Sequence, residues 1–385
     1  MARIILFGAS GYTGGLTAHS LASAIEPDDD VTVVLAGRNE EKLKALLGEL
    51  SLHRDQRSKF LTQVADVDNP ESVHDLVTSP DDVLVSTVGP FLRWGQPAVD
   101  AVINKGATYI DSTGEAAFLR RLFDVESQRA IETGAKLVPA FGFDFVPGNL
   151  AGLLALADAD QVGGITPTRI EIGYFMSGGA LASTGTMASA PGIVLQPSYA
   201  FHKGKLRKEQ TARRTRVFGL GDRELNAISI GGTEPFDLPL AAPELRDIGV
   251  YLGAGKKWTD AASAASRTVG VIAKVPGVRQ VATAATSRLV KGSAGGPNQS
   301  QRAKSRSIAI AELFDQDDNQ INRVVLQGPS PYDLTAGLLT WAALNADAIS
   351  QPGTHGPASA FGLPLLTRGC ASLGLDRSPD AYPNK

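Results

Sequence analysis

The sequence predicts an α/β fold: a Rossmann-type doubly wound parallel sheet, with a second α+β domain containing an antiparallel sheet. Three observations predict it. An apolar run, Ile4-Ile5-Leu6-Phe7, feeds directly into the glycine-spaced turn Gly8-Ala9-Ser10-Gly11-Tyr12-Thr13-Gly14, and a helix-like stretch follows from Leu16 to Ala24. Short apolar runs and helix patterns then alternate to Val138, as expected for parallel strands joined by crossover helices. Beyond Pro167 the strand-like runs are grouped with few helices between them, which suits an antiparallel sheet.

The first turn carries the chemistry. Gly8 permits the tight turn out of the strand, Gly11 lets backbone approach a pyrophosphate, and Gly14 lets the helix pack on the sheet. Free N–H groups at the helix start would then face phosphates. The spacing is G-x-x-G-x-x-G rather than G-x-G-x-x-G, and a glycine trio alone also fits an ordinary strand-to-helix turn. The strand before it, the helix after it and a second strand, Val31 to Ala36, at the expected distance favour a dinucleotide. Where NAD sites place a ribose-binding acid, this chain has Gly37-Arg38-Asn39. The planar donor fork of Arg38 suits a 2′-phosphate, so NADP is the expected cofactor; the alternative is a solvated arginine. Glu40 and Glu41 fall in the first turn of the next helix, by the spacing of Leu43, Leu46 and Leu47.

Further strands are expected at Phe60–Val64, leading to Asp66-Val67, and at Val83–Thr87, leading to Val88-Gly89-Pro90-Phe91. Another covers Thr108–Ile110, leading to Asp111-Ser112-Thr113-Gly114-Glu115, and the last covers Lys136–Val138. Asn69 and Pro70 read as a helix start. Ligands of such sheets bind at the carboxyl ends of the strands, so the loops at Gly8, Arg38, Asp66, Val88 and Ser112 converge on one crevice.

At 385 residues two domains are expected, with an NADP-binding domain over 1–145, a substrate or dimerisation domain over 146–330, and a closing helix and tail over 331–385 packing back on the first. A hydrophobic content of 43% argues against wholesale disorder, and a net charge of −3 gives no electrostatic reason for a nucleic-acid partner. One cysteine, Cys370, excludes an internal disulfide and suits a reducing cytoplasm. The start reads as strand and nucleotide loop rather than signal peptide, and no apolar run is long enough to span a bilayer. Leu150–Ala159 reads as a buried helix. The five histidines are scattered, and no metal-ligand cluster is visible.

In the second region, strands are expected at Arg169–Tyr174, Arg306–Phe314 and Ile321–Leu326. Trp258–Val290 has mixed helical spacing with a break at Pro276-Gly277, and Gly292–Ser305 reads as a loop. His202–Arg216 also reads as a loop, strongly basic through Lys203, Lys205, Arg207, Lys208, Arg213, Arg214 and Arg216. It is either solvated or a contact for an anionic carrier, synthase or membrane surface. Tyr332–Ile349 reads as a helix. A homodimer through the second sheet is a further expectation.

These pieces resemble the saccharopine dehydrogenase-like oxidoreductases, and within them the actinobacterial trans-acting enoyl reductases. The residues that carry the resemblance begin with Gly8–Gly14, Leu35-Ala36-Gly37-Arg38 and Ser86–Phe91 with Gly95, and continue with Tyr109–Glu115, Gly142-Phe143-Asp144 with Pro147, and Ser177-Gly178-Gly179. Gly328-Pro329 and the helix from Tyr332 match the family's closing element. The resemblance is strong over about the first 150 residues and looser beyond. It implies that Gly8–Gly14 and Arg38 hold NADP, that Thr87, Val88 and Gly89 pass beneath the nicotinamide ribose, and that Ser112, Thr113 and Gly114 line the floor near the ring. Where such proteins often have Gly-Phe-Asp-Ser-Ile-Pro-Ser-Asp, this chain has Gly142-Phe143-Asp144-Phe145-Val146-Pro147-Gly148-Asn149. That loop is expected at the substrate entrance, so the substrate could differ.

Enoyl reduction needs a hydride at the β-carbon, a proton at the α-carbon and a donor to the carbonyl oxygen. The substrate would be a small molecule or a carrier-bound acyl group. Tyr109, Tyr174, Tyr332, His355 and Asp144 are the candidate donors, Asp144 only if burial raises its pKa. Each also has a structural reading: core or cross-sheet packing for the tyrosines, solvation for His355, tying of loop backbone for Asp144. None is singled out as catalytic. The competing functions are a saccharopine-type amino-acid dehydrogenase and a non-catalytic NADP-binding scaffold.

Overall fold

The computed structural model describes residues 2–178, 197–253, 255–272 and 295–378. The chain forms two compact units, one of Met1–Val146 with Tyr332–Leu373 and the other of Pro147–Pro331 with Gly374 onward.

The first unit is built on β1 (Ala2–Phe7), β2 (Val31–Gly37), β3 (Phe60–Val64), β4 (Val83–Ser86), β5 (Thr108–Asp111) and β6 (Lys136–Val138). With a two-residue strand, Gly353–Thr354, at one edge, these make a sheet of order (353–354)-β6-β5-β4-β1-β2-β3. Every pairing in it is parallel. The order reverses between β1 and β4, so their carboxyl ends flank the natural ligand crevice of a doubly wound sheet. Continuous apolar runs made these strands legible because a parallel sheet is covered on both faces. Ile4, Ile5, Leu6 and Phe7 are all at most 2% exposed. Helix α1 (Tyr12–Ala24) follows β1 and α2 (Glu40–Glu49) follows β2. The helix expected from Tyr332 spans Pro331–Leu344, and its residues from Tyr332 on belong to this unit, stacking Trp341 on Phe141 and Phe361.

The second unit holds β7 (Arg169–Ser177), β8 (Pro197–His202), β9 (Lys205–Gln210), β10 (Thr215–Leu220), β11 (Arg223–Ser229), β12 (Asp247–Gly253), β13 (Arg306–Phe314) and β14 (Gln320–Gly328). The sheet runs β10-β11-β12-β7-β13-β14 and ends on Asp376–Arg377, with the β8–β9 hairpin attached to β12. Only the β12–β7 pairing is parallel among those described. The expected buried helix over Leu150–Ala159 is longer, Val146–Val162.

Two segments expected to be loops are regular structure. His202–Arg216 contains a hairpin turn, all of β9 and the start of β10. Lys203 and Gly204 both have positive φ, as a two-residue turn between twisted strands requires. Its charges obscured the strands, yet cations are a normal guard on an edge strand. Two of the seven basic residues form ion pairs within the unit, Arg214 with Glu209 and Arg216 with Glu312, and Arg207 donates to His202 O. In Gly292–Ser305, the described part carries a helix, Gln299–Lys304, opened by an Asn298–Gln301 capping box that the sequence displays as N-x-x-Q. The run from Trp258 begins inside the helix Lys256–Ile272; its remainder to Val290, Pro276-Gly277 included, and Gly179 lie outside the described residues.

Candidate functional site

The site is assembled in the first unit from loops at the carboxyl ends of its strands. Gly8 leaves β1 with φ +91° and its N–H bonded to Ala36 O at 2.9 Å. A Cβ on Gly8 would stand 2.7 Å from Thr87 Oγ1 and 2.9 Å from Val88 Cγ2, so the glycine lets the first and fourth strand ends close together. A Cβ on Gly14 would stand 2.2 Å from Gly8 O, which is backbone and cannot yield. Gly11 caps α1 without any side-chain hydrogen bond, and the first turn of α1 has no acidic residue. A Cβ on Gly11 would stand 3.2 Å from Gly8 O, a milder crowding than at Gly14. Ala9 is buried, while Ser10 and Gly11 are exposed and Tyr12 and Thr13 half-buried. A helix start with neither cap nor acid leaves its outward N–H groups for an anion.

At the end of β2, Arg38 is exposed and makes no hydrogen bond or ion pair with any described residue. Ser10 Oγ lies near the neighbouring Gly37, 3.6 Å from where its Cβ would be, so the glycine turn and the Arg38 loop adjoin. Asn39 has a structural duty: its Oδ1 accepts Lys42 N–H at 2.8 Å and caps α2. Asp66 is half-buried at the end of β3, its Oδ1 accepting Asp68 N–H, and Val67 packs on the core.

The other half of the site follows β4, β5 and β6. Thr87 donates its hydroxyl to Phe7 O and Gly8 O, Val88 is half-buried against the core, and Gly89 is exposed. Asp111 is completely buried, and its Oδ1 accepts both Thr113 N–H and Ala140 N–H at 2.8 Å. Burial pushes its carboxyl up to about 6, against the opposing pull of those two amides. Glu115 accepts Phe91 N–H at 2.6 Å and Leu92 N–H at 3.0 Å. Asp111 therefore ties the β5 loop to the β6 loop, and Glu115 ties it to the β4 loop. Neither duty was read from the sequence, although an aspartate two residues before the donor is a recognisable side-chain turn. Ser112 is half-buried and Gly114 exposed, whereas Thr113 is buried with its hydroxyl accepting Glu115 N–H.

Asp144 is half-buried, with its Oδ2 3.1 Å from where a Cβ of Gly114 would stand. It makes no hydrogen bond with any described residue, so it does not tie loop backbone together as expected. Burial pushes it up to about 6. The loop is held instead by Thr335 Oγ1, which accepts Phe143 N–H at 3.0 Å. One turn earlier on that helix, Tyr332 meets Tyr12 edge-on at 5.1 Å between ring centroids.

The structure thus brings together Gly8–Thr13, Arg38, Asp66, Thr87–Gly89, Ser112 and Gly114 on strand ends of one sheet, with Asp144 and Tyr332. Other candidate donors lie elsewhere. Tyr109 is fully buried in β5, and burial holds its phenol well above the usual range. His355 bonds Gln351 O through Nε2. Tyr174 belongs to the second unit, where its hydroxyl donates to Glu234 Oε1 at 2.6 Å and accepts Gly148 N–H. A Cβ on Gly148 would stand 2.0 Å from that hydroxyl. The departures Phe145, Gly148 and Asn149 are all buried.

The topological switch point, the uncapped glycine turn and the loops beyond β4 and β5 define a dinucleotide-binding domain of the Rossmann class. More particularly, residues 4–136 match the saccharopine dehydrogenase NADP binding domain. A trans-acting enoyl reductase of Mycobacterium ulcerans (strain Agy99) is 34% identical over 187 residues, covering 47% of this chain and 43% of that protein. The match thus spans less than half of that relative's length. Among solved structures, saccharopine dehydrogenase (L-Glu forming) from Saccharomyces cerevisiae aligns over 98% of this chain and 99% of its own, with a TM-score of 0.62 and 11% identity. Homospermidine synthase from Legionella pneumophila, in complex with NAD, covers 98% of this chain and 91% of its own, with a TM-score of 0.59 and 12% identity. At such identities the likeness is one of fold.

Proposed function

We propose that the chain is an NADPH-dependent reductase of an enoyl or related unsaturated acyl substrate, free or carrier-bound. The observation that carries this is an uncapped, acid-free helix start beside Arg38, which has no partner among the described residues, in a segment that matches the saccharopine dehydrogenase NADP binding domain. The identity to trans-acting enoyl reductases supports the substrate class. In this reading Gly8–Thr13 cradle the pyrophosphate, Arg38 and Ser10 take the 2′-phosphate, and Asp66-Val67 border the adenine. Thr87–Gly89, Ser112 and Gly114 face the nicotinamide half. NADPH supplies the hydride when bound; the protein orients it, excludes water and provides the proton.

Purified protein mixed with NADPH and a panel of enoyl thioesters should consume the reduced cofactor. Turnover on saccharopine-like amino acids instead would favour an amino-acid dehydrogenase, and tight NADPH binding without turnover would favour a scaffold. Arg38→Ala should weaken NADPH by about 10- to 100-fold, the worth of charge-assisted hydrogen bonds to one phosphate, and NADH by less than about threefold. Equal weakening of both in calorimetry would remove the 2′-phosphate assignment.

A further inference from the structure

We infer that Asp144 is the acid that hands the proton to the substrate, an inference that rests on the reductase reading above. Its basis is a contrast among three carboxylates on the β5 and β6 loops. Asp111 is occupied by Thr113 N–H and Ala140 N–H, and Glu115 by Phe91 N–H and Leu92 N–H. Both are fixed acceptors that hold three loops in register. Asp144 accepts nothing from any described residue, although it is half-buried. Asp111 Oδ2 is also without a partner among the described residues, but it is sealed in the interior, whereas Asp144 is half-buried beside exposed Gly114, so Asp144 is the acid that a bound molecule can reach.

Its position supplies that use. The strand order places β4, β5 and β6 on the half of the sheet opposite β2 and β3, where Arg38 sits. A dinucleotide whose adenosine end reaches Arg38 sends its nicotinamide end toward β5 and β6. There Asp144 Oδ2 lies over exposed Gly114, whose missing side chain leaves the approach open. The loop is braced by Phe141 N–H to Asp111 O at 2.7 Å, Phe143 N–H to Thr335 Oγ1 and Phe145 N–H to Ala140 O at 2.8 Å. The acid is therefore positioned by its neighbours but not consumed by them. The ionisable groups on the surrounding elements are Tyr109, Asp111 and Glu115 of β5 and its loop, and Tyr332 and Asp333 of the helix. Desolvation alone raises Asp144 to about 6, which keeps a working fraction protonated near neutral pH.

In the step itself, the β-carbon of the enoyl group takes the hydride that NADPH supplies, and the α-carbon takes the proton of the Asp144 carboxylic acid. The C=C π bond is spent, two C–H bonds form, the O–H bonding pair stays on Asp144 as carboxylate, and NADP⁺ is released. The half-exposed carboxylate then regains a proton from water.

The test uses the full chain and the Asp144→Asn variant. Expected are a fall in kcat of about 100-fold or more, NADPH affinity by calorimetry within twofold of the parent, and partial recovery in Asp144→Glu. The parent's kcat should fall as pH rises through about 6, and that dependence should vanish in Asp144→Asn. Carboxyl-carbon NMR gives a readout independent of turnover: one aspartate signal titrating near pH 6 should disappear in the variant, while that of Asp111 remains. A kcat within threefold of the parent, or no lost signal, overturns the inference and leaves the reductase reading standing. Tyr332→Phe producing the large loss instead would assign the proton to Tyr332. A parent protein inactive on every enoyl thioester takes the reading and the inference down together.

Discussion

The starts of α1 and α2 lie at neighbouring strand ends of one sheet and are built in opposite ways. Helix α2 closes its own terminus: Asn39 caps it through Lys42 N–H, and Glu40 and Glu41 occupy the first turn. Helix α1 has Gly11 at the same position, no side-chain cap and no acid in the first turn. Every helix start presents unpaired N–H groups and a partial positive charge, and the cheapest remedy is a short polar cap with acids behind it. The chain applies that remedy at α2 and withholds it at α1. The difference teaches that α1 is left incomplete for an external anion, at some cost to the free protein, while α2 only needs to fold.

The sharpest way to break the contrast is to damage the turn that exposes the α1 terminus. Gly14→Ala places a methyl 2.2 Å from Gly8 O and 2.9 Å from Ala9 Cα, both backbone. Overpacking of this kind costs about 3 kcal/mol, and the displaced turn should lose NADPH by about 100-fold or more. Thermal denaturation with calorimetric titration reads both; a variant that binds normally would show that the close approach is not what shapes the cradle. A milder change turns α1 into a copy of α2. Thr13 corresponds in helix position to Glu41, so Thr13→Glu adds the missing first-turn acid. The free protein should gain roughly 0.3–1 kcal/mol from the helix dipole, while NADPH weakens by about tenfold or more from repulsion of its phosphates. Opposite signs in the two measurements are the signature of a terminus kept open for a ligand. A loss of both stability and affinity would point to steric damage.

What the sequence disclosed divides along the same line. The α1 turn, the parallel strands and Arg38 were legible because each is local: glycines at fixed spacing, unbroken apolar runs and a basic residue at a strand end. Asn39 was legible only as a neighbour of Arg38, and its capping role emerged with the bond to Lys42 N–H. The clamps made by Asp111 and Glu115, and the seat of Phe143 on Thr335, join residues up to 192 positions apart, which no local pattern encodes. The β8–β9 hairpin was missed for another reason. Its alternation is masked by lysines and arginines on an edge strand, where water replaces the core as the partner of one face. Asp144 stood out by motif, but its lack of a hydrogen-bond partner among the described residues could be known only from the folded chain.

The smallest expected effect tests whether Asn39 belongs to the fold or to the ligand. Asn39→Ala removes the acceptor of Lys42 N–H and should cost about 1 kcal/mol, the usual loss for a helix cap. Arg38 precedes this residue on the chain, so a frayed α2 start would broaden the arginine's positions without removing its charge. NADPH should then weaken by no more than about threefold, against 10- to 100-fold for Arg38→Ala, and NADH should be unchanged. Asn39→Asp separates the roles further, because aspartate caps as well as asparagine yet brings a negative charge beside the 2′-phosphate. It should keep the stability that Asn39→Ala loses while weakening NADPH more than the alanine does. If instead Asn39→Ala weakened NADPH as strongly as Arg38→Ala at unchanged thermal stability, the side chain would be serving the ligand. The rule that α2 closes itself, and α1 does not, would then fail at its first residue.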